Sequence, residues 1–282
     1  MNPPLLWVVV PTCRPERLEW IRDRFVSQHY PNKALLVVEN GDAIGAVRES
    51  GIHPHEVVQL RGEPHVSRAR NAGIEAVREL GDWMCFWDDD DYYGPHYLTE
   101  VAAAIGTGGI ADVIGKRRHF IAFREHGLYL FNERNQWSEA LYLHGPTLTF
   151  RASQALPFPE IPEGEEMKWA EAMRARGASL RGLSIHHYCY MRGGDRHIFQ
   201  ASPEYIALIS MSNDFVYWLG DVECDVIDGK RDWRDRIRKT EGERVSLPFR
   251  QDGGSSKLSL QVDADSKSFK LDTRELEAPE VA

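Results

Sequence analysis

Along the first hundred residues, short apolar runs alternate with stretches in which apolar positions recur every three or four residues. Leu5–Val10 is an unbroken apolar run closed by Pro11, as expected of a buried strand. Leu18, Ile21, Phe25 and Val26 then recur at helical spacing, with Arg and Glu between them. Ala34–Val38 is a second apolar run, ended by the turn signal Glu39-Asn40-Gly41-Asp42. Val57–Leu60 predicts a weaker third strand. Ala69, Ala72, Gly73, Ala76, Val77 and Leu80 line one face of a helix, small enough to pack closely on a sheet. Trp83–Trp87 is apolar throughout and rich in aromatics, and Tyr97, Leu98, Val101 and Ile105 predict the next helix. Strands alternating with helices of this length predict an α/β fold, with a mostly parallel sheet covered on both faces.

The second half is less regular. Short strand-like runs occur at Asp112–Ile114, His119–Phe123 and Leu128–Phe131, and Thr147–Phe150 is a candidate return to the sheet. Glu165 to Arg176 reads as a helix closed by Gly177, Leu180–Ile185 as a strand, and Tyr205–Leu219 as a further helix. From about Gly242 the chain turns polar. Alternation at Leu258, Leu260 and Val262 fits a terminal strand, with a mobile tail as the other reading. No internal repeat is visible.

Composition narrows the function classes. The 282 residues are 42% hydrophobic, enough for one large α/β domain or one domain with an appendage. A net charge of −9 argues against binding nucleic acid by bulk electrostatics. The four cysteines, Cys13, Cys85, Cys189 and Cys224, are scattered without a C-x-x-C pair, which disfavours a disulfide framework or a zinc site and points to a reducing cytoplasm. Leu5–Val10 is far shorter than the roughly 18–20 residues of a membrane span, so no integral membrane segment is expected.

The candidate chemistry lies at Asp88-Asp89-Asp90-Asp91, directly after the Trp83–Trp87 run and before Tyr92-Tyr93-Gly94-Pro95. Four carboxylates at the end of a buried strand repel one another unless positive charge gathers there. In open α/β sheets, ligands bind beyond the carboxyl ends of the strands. A hard divalent cation holding a phosphate through carboxylate oxygens suits that position; a solvated acidic turn is the plainer alternative.

Four segments in order, Val8-Val9-Val10-Pro11-Thr12, Val37-Val38-Glu39-Asn40-Gly41, Ser67-Arg68-Ala69-Arg70-Asn71-Ala72-Gly73 and Phe86-Trp87-Asp88-Asp89-Asp90-Asp91, resemble the family-2 glycosyltransferases of the GT-A fold. The resemblance covers roughly residues 5 to 200. It implies a Rossmann-like GT-A domain with a nucleotide-sugar-binding half (1–105) and an acceptor-binding, catalytic half (106–202). C-terminal helices (203–244) and a polar tail (245–282) complete the expected organisation.

The implied activity is a metal-dependent, inverting transfer of a sugar from a nucleotide-sugar donor to an acceptor hydroxyl. The family pattern Asp-x-Asp falls on Asp88 and Asp90, with Asp90 the expected direct ligand of Mn²⁺ or Mg²⁺ and Asp88 meeting the ribose or the metal. Asp89 is also placed among the donor-binding residues, and both Asp89 and Asp91 are open between capping the next helix and pairing with an arginine. Pro11, Thr12 and Glu39 are placed to face the base, with Glu39 standing where the family usually has Asp. Arg14 and Arg70 are candidates for the base or the phosphates, while Asn71 and Gly73 suit the turn into the helix and close helix–sheet packing. Glu166, with Glu165 beside it, occupies the family's acidic helix start and is the implied general base; capping the helix dipole is the structural alternative. Arg192, Arg196 and His197 flank Gly193-Gly194 in a loop suited to closing over a diphosphate, with His197 an extra metal ligand. Trp137, Tyr142 and His144 are an aromatic platform or core residues.

A UDP-sugar is the favoured donor, with GDP- and dTDP-sugars as alternatives. The acceptor is open among glycan, protein, metabolite and modified nucleic-acid base. A nucleotidyltransferase acting on a sugar phosphate shares the strand-end aspartates, yet Cys13-Arg14-Pro15-Glu16 lacks the glycines of a phosphate loop. A non-catalytic nucleotide-sugar or glycan-binding module is the other alternative. Lys230–Lys239, with Trp233 and Ile237 one turn apart, reads as an amphipathic helix docked on the body.

Overall fold

A computed structural model of the chain describes residues 3–50, 54–80, 83–106, 111–123, 128–132, 142–162, 164–192, 215–219, 227–230, 244–251, 254–263 and 268–272. In chain order the first elements are β1 (Leu6–Thr12), α1 (Leu18–Val26), β2 (Lys33–Asn40), α2 (Ala46–Ser50), β3 (Glu56–Leu60) and α3 (Val66–Leu80). Then come β4 (Trp83–Phe86), β5 (Tyr92–Tyr93), α4 (Tyr97–Gly106), β6 (Val113–Gly115), β7 (Phe120–Phe123) and β8 (Leu128–Asn132). These are followed by β9 (Thr149–Arg151), α5 (Glu165–Ala175), β10 (Leu180–Gly182), β11 (Tyr188–Arg192) and β12 (Phe215–Leu219). Three more strands close the series, β13 (Arg244–Gln251), β14 (Gly254–Asp263) and β15 (Ser268–Asp272).

The chain divides into two compact units, Met1–His119 with Asn135–Cys189, and Phe120–Arg134 with Tyr190–Ala282. The first is built on a seven-stranded sheet in the order β10-β6-β9-β4-β1-β2-β3. β4, β1, β2 and β3 run parallel to one another, as do β10 and β6. β9 alone is reversed, pairing antiparallel with β4 on one side and β6 on the other. Because β9 is reversed, the Gly145–Thr147 turn leads into it at the same end of the sheet where β4 releases the aspartates.

The central strands carry the continuous apolar runs that burial on both faces requires. Val8, Val9, Val10, Leu36, Val37 and Val38 are fully enclosed. Each such side chain contributes roughly 1.5–3 kcal/mol by leaving water. α3 packs on this sheet through Ala69, Gly73, Ile74 and Val77. Gly73 is the closest point: a Cβ there would lie 2.5 Å from Val9 Cγ1, so only glycine lets the helix approach this far. Two positions on the expected helix faces turn outward instead. Val26 is 69% exposed at the last residue of α1, and Leu80, the last of α3, is also exposed.

Tyr92-Tyr93, expected as part of a turn, forms the short strand β5, which pairs antiparallel with β11 through Tyr93↔Tyr188 and Tyr92↔Cys189. The expected strand over Thr147–Phe150 begins later, because Gly145–Thr147 is a 3-10 turn held by Thr147 N–H to His144 O. Among the described residues, no helix is long and apolar enough to cross a membrane.

In the second unit, β7 pairs with β8 and β8 with β12, both antiparallel. The helix expected over Tyr205–Leu219 is a strand at its described end, where Phe215-Val216-Tyr217-Trp218 favours a pleated surface; residues 205–214 lie outside the described residues. β13, β14 and β15 form an antiparallel sheet, so the alternation at Leu258, Leu260 and Val262 belongs to a strand. Of the Lys230–Lys239 segment, only Lys230 is described.

Lys116 is a buried cation at the end of β6. Its Nζ donates to Glu100 Oε2 at 2.6 Å and to the carbonyls of Ser184 and His186, each at 2.7 Å. Burial pushes its pKa down, and Glu100 works against that shift. Lys116→Met removes the cation and leaves Glu100 and two carbonyls without it. Breaking one side of a buried pair costs roughly 3–5 kcal/mol. A thermal melt should show a fall of about 10 °C for a unit of this size; a change under about 2 °C would show that the site relaxes around the loss.

Candidate active site

The site is assembled at the carboxyl ends of β1, β4 and the approach to β9. β4 ends at Phe86, and the Trp87 N–H donates to Val9 O at 3.0 Å, so the aspartates leave the sheet beside the end of β1. Trp87 stacks on Tyr93 with ring centroids 4.1 Å apart. The Tyr93 hydroxyl accepts from the Asp88 N–H at 2.8 Å and donates to Pro146 O at 2.9 Å. One phenol therefore fixes the start of the aspartate run against the turn before β9.

The four aspartates have four different settings. Asp89 is buried and faces the first strand: its carboxylate accepts from Thr12 Oγ1 at 2.5 Å and from Arg14 Nε at 3.1 Å, with a second, shorter contact to Arg14 Nη2. The same Arg14 Nη2 lies 2.9 Å from Asp90 Oδ2. Thus Asp89 pairs with an arginine, one of its expected roles. Asp91 is wholly buried and accepts from the Tyr188 hydroxyl at 2.5 Å, while its backbone carbonyl accepts from Trp20 Nε1 at 3.0 Å. Asp88 is the most open, with 36% of its side-chain surface exposed and Arg70 Nη2 at 3.9 Å.

Asp88, Asp90 and Asp91 each offer an oxygen, and these atoms lie within 4.8 Å of one another. Desolvation raises the Asp88 carboxyl above the usual range, Arg70 opposes the rise, and Asp90, Asp89 and Glu166 add to it. Three carboxylate oxygens gathered this closely form an all-oxygen donor set that fits a hard divalent cation.

Arg70 joins this cluster to α5. It is 2% exposed, and its guanidinium carbon lies 5.4 Å from the Phe158 ring centroid and 5.8 Å from that of Phe86. Nη1 approaches Glu165 Oε1 at 3.2 Å and Glu166 Oε1 at 3.1 Å. Beneath it, Phe158 stacks on Trp169 at 4.9 Å, and Phe86 and Phe150 meet edge-on. Burial and the adjacent Glu166 push the Glu165 carboxyl up, and Arg70 pulls it down. Asn71, expected at the turn into the helix, sits inside α3 and holds Phe158 by two bonds. Its Nδ2 donates to Phe158 O at 3.0 Å, and its Oδ1 accepts the Phe158 N–H at 2.7 Å.

Glu39 is buried at the end of β2. Its carboxylate accepts from the Gly45 N–H at 2.9 Å, the Val47 N–H at 2.7 Å and Gln59 Nε2 at 2.7 Å. It thereby shapes the loop leading into α2. Pro11 and Thr12 end β1, as expected from the apolar-Pro-Thr run. Arg192 is the last residue of β11, buried with its guanidinium over the Tyr190 ring at 4.2 Å. Arg196, His197 and Trp137 lie outside the described residues. His144 stacks on His119 at 4.2 Å, whereas Tyr142 is partly exposed.

Residues 7–152, just over half of the chain, match the family model described as glycosyl transferase family 2. The chain belongs to that family. A search of the curated proteins gave no match. Among solved structures it is similar to S. aureus TarS 1–349 in complex with UDP, at 19% identity and a TM-score of 0.51, over 67% of this chain and 60% of that one. It is also similar to the mannosyltransferase PcManGT from Pyrobaculum calidifontis in complex with GDP-Man and Mn²⁺, at 14% identity and TM-score 0.51, over 68% of this chain and 57% of that one. GalNAc-T7 with UDP, GalNAc and Mn²⁺ matches at 10% identity and TM-score 0.53, over 76% of this chain and 49% of that one. The chain thus spans about 60% or less of the length of each. These likenesses concern the fold, which is the mixed α/β GT-A architecture expected of the family.

Sequence reasoning passed over three residues that shape the site. Tyr93 and Tyr188 hold Asp88 and Asp91; the aromatic pair directly after the aspartates signals the first of them, and Tyr188, 97 positions from Asp91, has no such local signal. Gly145 is the third. A Cβ there would collide with Glu166 Oε1, lie 2.7 Å from Glu166 Cγ and 2.9 Å from Arg70 Nη2. Gly145→Ala must therefore displace Glu166 or the backbone. Overpacking of this kind costs typically about 1–3 kcal/mol. Urea unfolding should show that loss with an unchanged slope; wild-type stability would mean that Glu166 swings aside freely.

Proposed function

We propose that the chain transfers a glycosyl group from a nucleotide-diphosphate sugar to an acceptor hydroxyl, with inversion at the anomeric carbon. The observation that carries this reading is the meeting of two acidic groups, one at the end of β4 and one at the start of α5, on the single guanidinium of Arg70. One group suits a metal–diphosphate and the other a proton acceptor. Family membership and the GT-A fold support the reading. The solved structures similar to this one hold UDP, GDP-Man or UDP with GalNAc, two of them with Mn²⁺, which supports a nucleotide-sugar donor.

In this reading Asp88 and Asp90 hold Mn²⁺ or Mg²⁺, with Asp91 as a further oxygen within reach. Such a cation, when bound, would supply Lewis-acid chemistry that offsets negative charge on the diphosphate. The chain's own residues do the rest. Arg14 and Thr12 fix Asp89, so that the aspartate run keeps its shape. Pro11 and the loop held by Glu39 border the place for the base. Glu166 takes the proton from the acceptor hydroxyl. It is the better placed of the α5 pair, being more open than Glu165. A lone carboxylate of this kind, with no nucleophile proposed on the opposite face of the sugar, suits direct displacement and hence inversion.

Two measurements test this. Calorimetry with Mn²⁺ and a nucleoside diphosphate should show metal-dependent binding that Asp90→Asn abolishes while the far-UV spectrum stays unchanged. At saturating Mn²⁺, Glu166→Gln should keep donor affinity near wild type and lower turnover roughly a hundredfold or more, the usual scale for losing a general base. Release of UDP or GDP marks transfer, whereas pyrophosphate release would mark nucleotidyl transfer and overturn the proposal. Equal turnover in Glu166→Gln would remove Glu166 as the base.

A further inference from the structure

Arg70 is one cation among three carboxylates. Its Nη1 side meets Glu165 and Glu166, and its Nη2 side looks toward Asp88 at 3.9 Å. It is 2% exposed and lies against Phe86 and Phe158, so it has little freedom to leave this position. Gly145 closes the same space, since a Cβ there would come within 2.9 Å of Arg70 Nη2. A guanidinium presents separate N–H edges in one rigid plane, so it can serve two carboxylate groups at once in a fixed geometry that a freely rotating ammonium does not impose. Its attraction is nevertheless finite. Charge that neutralises Asp88 from the other side leaves more of it for α5, and loss of a partner on α5 leaves more of it for Asp88.

We propose that Arg70 is a positioning residue that couples the aspartate cluster to Glu166. When a divalent cation engages Asp88, the Nη2 edge is released and the guanidinium holds Glu165 and Glu166 in the arrangement needed to receive a proton. The metal-free protein instead divides Arg70 among all three carboxylates. The inference builds on the assignment of Asp88 to the cation and Glu166 to proton transfer. It adds that the two events are linked through one buried side chain that lies between the two acidic groups. Linkage of this kind is reciprocal, so the state of Glu166 must in turn alter cation affinity.

The reciprocal effect can be read without any transfer reaction. Mn²⁺ affinity is measured by calorimetry, with no donor present, in the full chain, Glu166→Gln, Arg70→Gln and the double variant. Glu166→Gln should weaken Mn²⁺ binding about fivefold, because Arg70 then competes more strongly for Asp88. In the Arg70→Gln background the same change should alter affinity less than twofold. An equal effect of Glu166→Gln in both backgrounds would mean simple action through space and would overturn the proposal, as would no effect in either. If Arg70→Gln fails to fold, Arg70→Lys replaces it, keeping the buried charge without the two-edged fork, and the same loss of coupling is expected. Turnover of Glu166→Gln is read separately. Full turnover with the fivefold shift intact would remove Glu166 as the base and leave the coupling standing; lost turnover without the shift would sink the coupling alone.

Discussion

The buried guanidinium of Arg70 is the contact on which the rest of the site depends. Removing a charge from water costs several kcal/mol, and that cost is offset only where oppositely charged oxygens surround it with good geometry. Here they come from two directions, α5 and the end of β4. The backbone must therefore bring residues some eighty to a hundred positions apart to a single point. The aromatic floor of Phe86, Phe158 and Trp169 beneath it excludes water and strengthens every interaction above. Asn71, one residue on from Arg70, clamps the Phe158 backbone and so holds the floor to the same helix.

The aspartates illustrate the opposite balance. Crowded carboxylates work against folding, and each neighbour that quiets one leaves another in place. Arg14 and Thr12 take Asp89, Tyr188 takes Asp91, and Tyr93 fixes the backbone of Asp88 rather than its charge. What survives is an arrangement held rigidly on its inner side, with its outermost carboxyl reluctant to ionise. Such concentration of unfavourable charge at one strand end is typical of functional sites, where stability is given up locally for chemistry.

Much of this was legible in the chain itself, because long apolar runs and helical spacing report burial directly. The first four strands of the sheet, α1, α3, α4 and α5 all lie where periodicity places them, and the glycine after α5 takes the positive φ that ends a helix. The failures have physical causes. β5 is two residues long and exists only through its pairing with β11, so no local pattern announces it. The strand Phe215–Leu219 is rich in apolar residues that suit either a helix or a sheet, and its partner β8 decides the matter. At the site, residue types and order suffice to find the acidic groups. They cannot reveal that Arg70 faces inward, that Glu39 spends its carboxylate on the Gly45 and Val47 amides and Gln59, or that two tyrosines hold the aspartates. Those facts arise from contacts between segments distant in sequence.

Gly145 and Glu166 carry an evolutionary consequence. The two residues share one small volume, because the space that a methyl group at 145 would fill holds the carboxylate and Cγ of Glu166. The positions should therefore vary together among homologous chains. A lineage that acquires a side chain at the first would be expected to shorten the second to aspartate, withdrawing its carboxylate by one methylene. Where the longer glutamate persists, selection should keep the glycine, even though that residue has no side chain with which to make a hydrogen bond.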